Sequence, residues 1–468
     1  MYDVVIIGAG ITGSMLAKDL SQYKLKIALL EKENDIADGA TLANSAIVHT
    51  GYDPEDGTLK ALLNVEGAKK YEQLCKDLGC HYKTVGAFIV ACGKEEEKKL
   101  DVLAKRADER NIPYTWLSGN EAREQEVNLS DNITKALNFY TTAVIYPWEV
   151  AIGCVEVAMN NGMELKLNHE VTSIEDKEHH YIVHTNKDIF ETKYVINCTG
   201  IDADKINEMV NEPSFKMNPR KGEYYVLDND TEFVKHIIFP VPSEKGKGVL
   251  AVPTVFGNTL LGPNAEESED VGTSSSGLQY VKDNVTKTMK NVPFNKVIRT
   301  FAGLRPSSSS KDFIIEETKP YFINVASIES PGLASAPGIS RYVVDMIKEK
   351  TPLEENENAV TTRKKPVVMA DLTREERDAM IKENPLYAKI ICRCESISEA
   401  EIINCIHTPC GARTVKGVKK RVRPGMGKCQ GGFCEPRVIQ ILARELGVSP
   451  SEIVLDSLDS VILEGENR

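Results

Sequence analysis

An α/β fold in three parts is predicted: a parallel-sheet domain, an antiparallel sheet interleaved with it, and a small helical C-terminal domain. Three observations lead there. Residues 3–7 form an apolar strand that runs into a glycine turn, Gly8 to Gly13, then a helix to about Tyr23 and a second strand from Lys26 to Leu30. That order is a βαβ opening. From Glu223 to Gly262 short β-rich runs alternate with glycine and proline, the pattern of an antiparallel sheet. The last hundred or so residues follow a polar, proline-bounded stretch at 351–366 and carry four cysteines in two close pairs.

The remaining elements follow in order. Residues 60–145 read as mostly helical with polar turns. Val183 to His184 and Tyr194 to Asn197 read as strands, as does Phe322 to Ser327, which leads through Pro331-Gly332 into a helix ending near Lys348. Residues 351–366 are weakly periodic and read as a linker. In the last part, Ser396-x-x-Glu399 reads as a capping box opening a helix with Ile402, Ile403 and Ile406 on its apolar side.

With 468 residues the chain exceeds one small core. A formal charge of −12 argues against nucleic acid as a partner. No apolar run reaches the length of a membrane span. The opening Met1-Tyr2-Asp3 goes straight into a strand, which leaves no room for a signal peptide and points to the cytoplasm. Eleven cysteines in such a chain are expected to be thiols or metal ligands.

Gly8-Ala-Gly10-Ile-Thr-Gly13 follows a strand and starts a helix. The first glycine permits the turn, the second lets backbone approach a pyrophosphate, and the third lets helix pack on strand, while the helix N-terminus attracts phosphate charge. Glu31 lies 18 residues after Gly13, the spacing of an acid that binds ribose hydroxyls. This is a Rossmann-type dinucleotide site.

Cys392-Arg-Cys394 and Cys429-Gln-Gly-Gly-Phe-Cys434 supply four thiolates for a soft metal site, an iron–sulfur cluster or zinc. Cys405 and Cys410 are a rival pair with the same gap. Cys405 falls on the helix and Cys410 just beyond it. Cys429 and Cys434 lie in a glycine-rich loop able to wrap a cluster and offer it N–H groups. Pro436 then suits the first turn of another helix. Seven basic residues and no acid occupy 413–428. They are read as stabilising a negative cluster, docking an acidic partner, or forming a solvated face.

Asp38-Gly-Ala-Thr-Leu-Ala-Asn44-Ser45-Ala-Ile-Val-His49-Thr-Gly51, Val195-Ile-Asn-Cys-Thr199-Gly200 and Ser330-Pro331-Gly332-Leu333 together resemble the amino-acid-oxidase-like (DAO) family of FAD oxidoreductases, over roughly residues 1–350. Arg220-Lys-Gly222-Glu223-Tyr224, Gly246-Lys247-Gly248-Val249 and Phe301-Ala-Gly303-Leu-Arg305-Pro306 resemble its FAD-dependent glycerol-3-phosphate oxidases and dehydrogenases. L-2-hydroxyglutarate dehydrogenases share several of these runs, but His49-Thr-Gly51-Tyr-Asp53-Pro54 leans toward the glycerol phosphate branch. Ala46 departs from the usual glycine, a change expected to matter little. The cysteine segment, about 370–445, resembles the bacterioferritin-associated-ferredoxin-like (BFD-like) [2Fe-2S] domain that also ends anaerobic glycerol-3-phosphate dehydrogenase large subunits.

The resemblance implies FAD-binding segments at about 1–75, 145–215 and 320–350, a substrate domain at about 76–144 and 216–319, a linker at 351–366, and a BFD-like domain at 367–468. It implies FAD contacts from Gly8, Gly10, Thr12, Gly13, Glu31, Lys32, Thr41, Asn44, Ser45, Val171, Thr199, Gly200, Gly303, Pro331, Gly332 and Leu333. His49 becomes the candidate base, because histidine titrates near neutrality. Arg305 becomes the phosphate ligand, because a guanidinium offers a planar fork. Ser330 becomes a hydroxyl donor, and Lys247 a catalytic residue near substrate or flavin. The cluster would rest on Cys392, Cys394, Cys429 and Cys434. The implied reaction is oxidation of sn-glycerol 3-phosphate to dihydroxyacetone phosphate. Electrons would pass by the [2Fe-2S] cluster to a second flavoprotein, a membrane subunit, a ferredoxin-like carrier or a quinone. Rival expectations are a 2-hydroxyacid dehydrogenase, an electron-transfer subunit without its own substrate, and a zinc-held interaction module.

Overall fold

The computed structural model describes residues 1–242 and 248–465. Tyr2–Ile7 is the centre of an eight-stranded sheet, paired in parallel with Ile27–Leu30 on one side and Ile189–Asn197 on the other. Val4 to Ile7 and Ile27–Leu30 are buried throughout, because both faces of this sheet are covered. Helices Ile11–Leu20, Pro147–Asn160 and Gly332–Lys350 share one core with it. Phe322–Ala326 adds a further parallel strand beside Ile189–Asn197. Ile314–Lys319 pairs with that strand too, so this sheet begins again at 314 and not at the expected 320.

A nine-stranded second sheet carries Arg220–Leu227, Ile237–Pro240, Leu250–Pro253, Thr259–Gly262 and Val297–Arg305. It also takes Ala87–Ala91, Thr115–Ser118 and Lys135–Phe139 from the region expected to be mostly helical. Helices Leu59–Leu78 and Lys94–Glu109 do form there, but Ala87–Ala91 is a short, fully buried apolar run. Periodicity cannot separate such a run from buried helix. Its partner Ile237–Pro240 runs parallel to it, so the sheet is not purely antiparallel.

The C-terminal part has its own core, formed by the Ile390–Cys392 and Ile397–Ser398 hairpin and helices Glu399–Ile406, Val415–Val422 and Glu435–Leu446. The capping box lies two residues later than the sequence suggests. Ser398 caps the helix and Glu401 closes the box, whereas Ser396 sits in the hairpin turn at φ 56°. Pro436 stands in the first turn of its helix as expected.

Residues 351–366 form no helix or longer strand, yet they are not a loose spacer. Asn356 donates from its backbone to Gln22 (2.8 Å), Asn161 exchanges two hydrogen bonds with Val360 (2.8 Å each), and Arg363 forms a buried ion pair with Glu156 at 2.7 Å. The segment is a strap laid along the first domain.

The basic stretch 413–428 also differs from expectation. Its central residues face neither solvent nor an external partner; they bind the first domain's own acids. Arg421 forks onto both oxygens of Asp35 at 2.8 and 2.9 Å. Lys420, 1% exposed, donates to the Ile36 carbonyl (2.7 Å) and Asp38 (2.9 Å) and pairs with Asp35 (2.9 Å). Burial pushes the Asp35 carboxyl up, but Arg421 and then Lys420 outweigh it and hold it well below the usual carboxylate range. Arg423 binds Glu395 at 2.7 Å and Tyr146 at 3.1 Å and lies 3.6 Å over the Phe256 ring, touching both sheet domains. Breaking one partner of such a buried cluster costs about 3–5 kcal/mol. The cluster domain is thus clamped to the rest of the chain.

Candidate active site and metal centre

A cavity of about 1290 Å³ runs from the glycine turn to the second sheet. That exceeds a single drug-sized pocket and has room for a dinucleotide together with a small substrate. Gly8, at φ +100°, makes the turn; a Cβ there would stand 2.6 Å from the Cys198 carbonyl oxygen. Beyond it the N-terminus of Ile11–Leu20 opens toward the cavity, and the Thr41 hydroxyl accepts from Ile11 N–H at 2.9 Å. Glu31 accepts from the backbone of Ala9 (2.8 Å) and Glu33 (3.1 Å). Burial pushes its carboxyl up against those two hydrogen bonds. The turn has the form of a phosphate cradle with a buried carboxylate beside it, and these residues fit FAD.

All but one of the expected FAD residues line this cavity. The exception is Gly13, which packs under the turn against Gly8. Asn44 lines it but spends its side chain on the loop itself, donating to the Ala40 and Thr41 carbonyls and accepting from Ala46 N–H at 2.7 Å. That explains the residue after Ser45. Ala46 lies at φ 59°, a left-handed conformation that costs a non-glycine residue about 1–2 kcal/mol. The alanine therefore matters more than one extra methyl suggests.

His49, Arg305 and Ser330 all line the same cavity. His49 is held by its carbonyl, which accepts from the buried Asn64 amide at 2.7 Å, and its ring lies 5.4 Å from that of Phe239. Arg305 donates to the Asn264 carbonyl at 2.9 Å. Lys247 lies outside the described residues.

Two residues were present in the quoted runs without a role. Arg220 stands directly opposite Arg305 on paired antiparallel strands and lines the same cavity. Its Nε is buried without a hydrogen-bond partner, an orphaned donor that an anion would satisfy. Among the described residues neither arginine forms an ion pair. Gly222 makes room for this pair, since a Cβ there would stand 2.6 Å from Arg305 Nη2. Tyr224 reaches the Ser45 hydroxyl at 3.0 Å and stacks on Phe301. Only strand register places these side chains together, so no local pattern could have found them.

The metal centre sits between the hairpin and the loop before Glu435–Leu446. Cys394 and Cys429 bring their sulfurs to 3.6 Å, and Cys392 is hydrogen-bonded to Cys434. That hydrogen bond, helped by the N–H groups of Gly425, Glu395 and Cys394 against burial, lowers the Cys392 thiol to about 6. Burial opposes ionisation of Cys429, but the N–H groups of Gly431 and Phe433 and the Cys394 thiol bring it down as well. In each pair one thiol gives up its proton more readily at the other's expense: Cys434 is pushed up beside Cys392, and Cys394 beside Cys429. Metal ligation needs thiolates, which backbone donors aimed at sulfur favour. Two facing pairs suit a two-iron cluster, in which each iron takes two cysteines. The rival pair is engaged otherwise: the buried Cys405 thiol donates to the Ile402 carbonyl at 3.1 Å, and buried Cys410 accepts from Arg421 at 3.5 Å.

Comparison with known proteins supports both cofactors, FAD and a [2Fe-2S] cluster. The chain matches the family of FAD dependent oxidoreductases (DAO) over residues 3–346 and the BFD-like [2Fe-2S] binding domain over residues 390–444. It is 47% identical to a glycerol 3-phosphate dehydrogenase of Caloramator mitchellensis, covering 100% of this chain and 99% of that protein. It is 35% identical to a glycerol 3-phosphate oxidase of Mycoplasma genitalium, covering 76% of this chain and 97% of that one. The FAD-bound structure of L-alpha-glycerophosphate oxidase from Mycoplasma pneumoniae superposes with a TM-score of 0.74 at 30% identity, covering 77% of this chain and 98% of that one.

Proposed function

Because the chain belongs to the DAO family of FAD-dependent oxidoreductases and carries a BFD-like [2Fe-2S] domain, we propose that it oxidises sn-glycerol 3-phosphate to dihydroxyacetone phosphate and delivers the electrons to a protein acceptor. The observation that carries this reading is the paired Arg220 and Arg305 lining the FAD cavity that His49 also lines. Bound FAD supplies an acceptor for hydride, and the [2Fe-2S] cluster a one-electron carrier.

The chain's own residues do the rest. The two guanidiniums hold the phosphate dianion, with Ser330 as a further donor. A phosphate seated there fixes the secondary alcohol beside His49, which takes the hydroxyl proton as C2 gives up its hydrogen with the bonding pair. Cys392, Cys394, Cys429 and Cys434 hold the cluster. Support for a protein acceptor comes from the oxidases, whose similarity covers about three quarters of this chain and nearly all of theirs. The flavin-domain match ends at residue 346 and the [2Fe-2S] match spans 390–444, so the cluster lies outside the flavin domain. Phe433, 84% exposed beside Cys434, and exposed Arg393, Lys428 and Arg437 give that face an aromatic contact with basic surroundings. Among the described residues no helix is long and apolar enough to cross a membrane. The reading is of a cytoplasmic enzyme that reaches a membrane, if at all, through its partner.

The test is an anaerobic substrate panel read by flavin absorbance. Bleaching by sn-glycerol 3-phosphate and not by L-2-hydroxyglutarate is expected. The reverse would move the enzyme to the 2-hydroxyacid branch, and reduction only by a partner protein would make it an electron-transfer subunit. Replacing Arg305 or Arg220 by alanine is expected to lower kcat/KM for sn-glycerol 3-phosphate by about 10–100-fold, the value of a hydrogen bond to a charged group. Activity on glycerol, which lacks the phosphate, should change little. An equal loss on both substrates would show that the arginines shape the site without binding phosphate.

A further inference from the structure

The cavity wall is not made by the first two domains alone. Lys416, Asp456 and Ser457, all from the C-terminal part, line it together with Glu31, Lys32 and Glu33. These last three follow the second strand, where the acid for the ribose stands. The C-terminal residues are built into place. Lys416 bridges Asp38 (3.3 Å) and Asp456, and its backbone N–H donates to the Leu455 carbonyl at 2.8 Å. Asn34 donates from its amide to the Asp456 carbonyl. Asp456 N–H is tied to the Ser460 hydroxyl at 2.8 Å, closing a turn at 455–460. Below this turn Lys420 and Arg421 seat the basic helix on Asp35, Ile36 and Asp38. That loop leads directly into Thr41, Asn44 and Ser45 of the FAD cavity.

We propose that the cluster domain is also a wall of the FAD site: its 455–460 turn and Lys416 close the adenosine end of the cleft and retain the cofactor. A carboxylate and a hydroxyl at this rim are suited to the hydroxyls of a ribose, and a cation is suited to the nearby phosphates. The flavin-domain family match ends at residue 346, more than a hundred residues before this turn. In this chain, therefore, FAD retention and domain docking are linked, because leaving the cleft at that end requires the wall to move. The inference rests on family and geometry and is independent of the identity of the substrate.

The experiment follows release of flavin from holoenzyme by recovery of its fluorescence after dilution, with the cluster monitored by its EPR signal after reduction. Two variants are compared. Asp456→Ala with Ser457→Ala alters only the rim, and Lys420→Met loosens the docked helix. Release about five- to tenfold faster from the rim variant is expected, with the cluster signal and the thermal transition unchanged, and faster still from Lys420→Met if it folds. Release from the rim variant within twofold of the parent would overturn the proposal, whatever the Lys420 variant does.

Discussion

Replacing His49 by alanine is expected to slow reduction of the bound flavin by sn-glycerol 3-phosphate by about 10²–10⁴-fold, the usual contribution of a positioned general base. The reason is chemical. An alcohol proton is too weakly acidic to leave unaided near neutral pH, and His49 lines the same cavity as Arg220 and Arg305. FAD should remain bound, because the glycine turn, Glu31 and the Thr199-Gly200 corner are unchanged by the substitution. Anaerobic stopped-flow absorbance at the flavin band separates the two quantities: amplitude reports bound FAD, and rate reports chemistry. A single-turnover rate near that of the parent would remove His49 as the base. A loss of amplitude instead of rate would make it a structural residue, held by its carbonyl on Asn64.

Replacing Cys429 by alanine is expected to divide the catalytic cycle in two. Cys429 sits 3.6 Å from Cys394, and its loss would leave three of the four thiolates that would hold the cluster. Reduction of flavin by substrate should continue within a fewfold of the parent, because the cysteine lies on the cluster domain and not in the FAD cavity. Turnover with a large one-electron acceptor should fall by at least 100-fold. Iron and acid-labile sulfide, quantified in protein purified under argon, should both drop to background. Unchanged turnover without a cluster would mean that electrons leave the flavin directly. Zinc without iron in the parent protein would make the quartet a structural site.

Much of this molecule was legible locally. The turn from Gly8 to Gly13, the acid at Glu31 and the helix after Pro331 are short-range features, because each depends on backbone geometry within a few residues. The choice of Cys392, Cys394, Cys429 and Cys434 over Cys405 and Cys410 was also local. It followed from loop against helix, and in the structure Cys405 donates to the Ile402 carbonyl while Cys410 accepts from Arg421. Other readings failed where local signals are ambiguous. Ala87–Ala91 is too short and too apolar for its periodicity to tell strand from helix. The cap moved from Ser396 to Ser398 because the hairpin turn absorbed Ser396 in a left-handed conformation.

What the sequence by itself determined was therefore the chemistry: a dinucleotide cleft, a candidate base beside it, and four thiolates for a cluster. What only the tertiary structure decided was how these parts face one another. Antiparallel register set Arg220 opposite Arg305 and left a buried donor waiting for an anion. The basic run that read as a solvated or partner-binding face turned inward onto Asp35 and Asp38, nearly four hundred residues earlier in the chain. Both outcomes depend on charges and strands far apart in sequence, and their energies come from burial and pairing that no local pattern records.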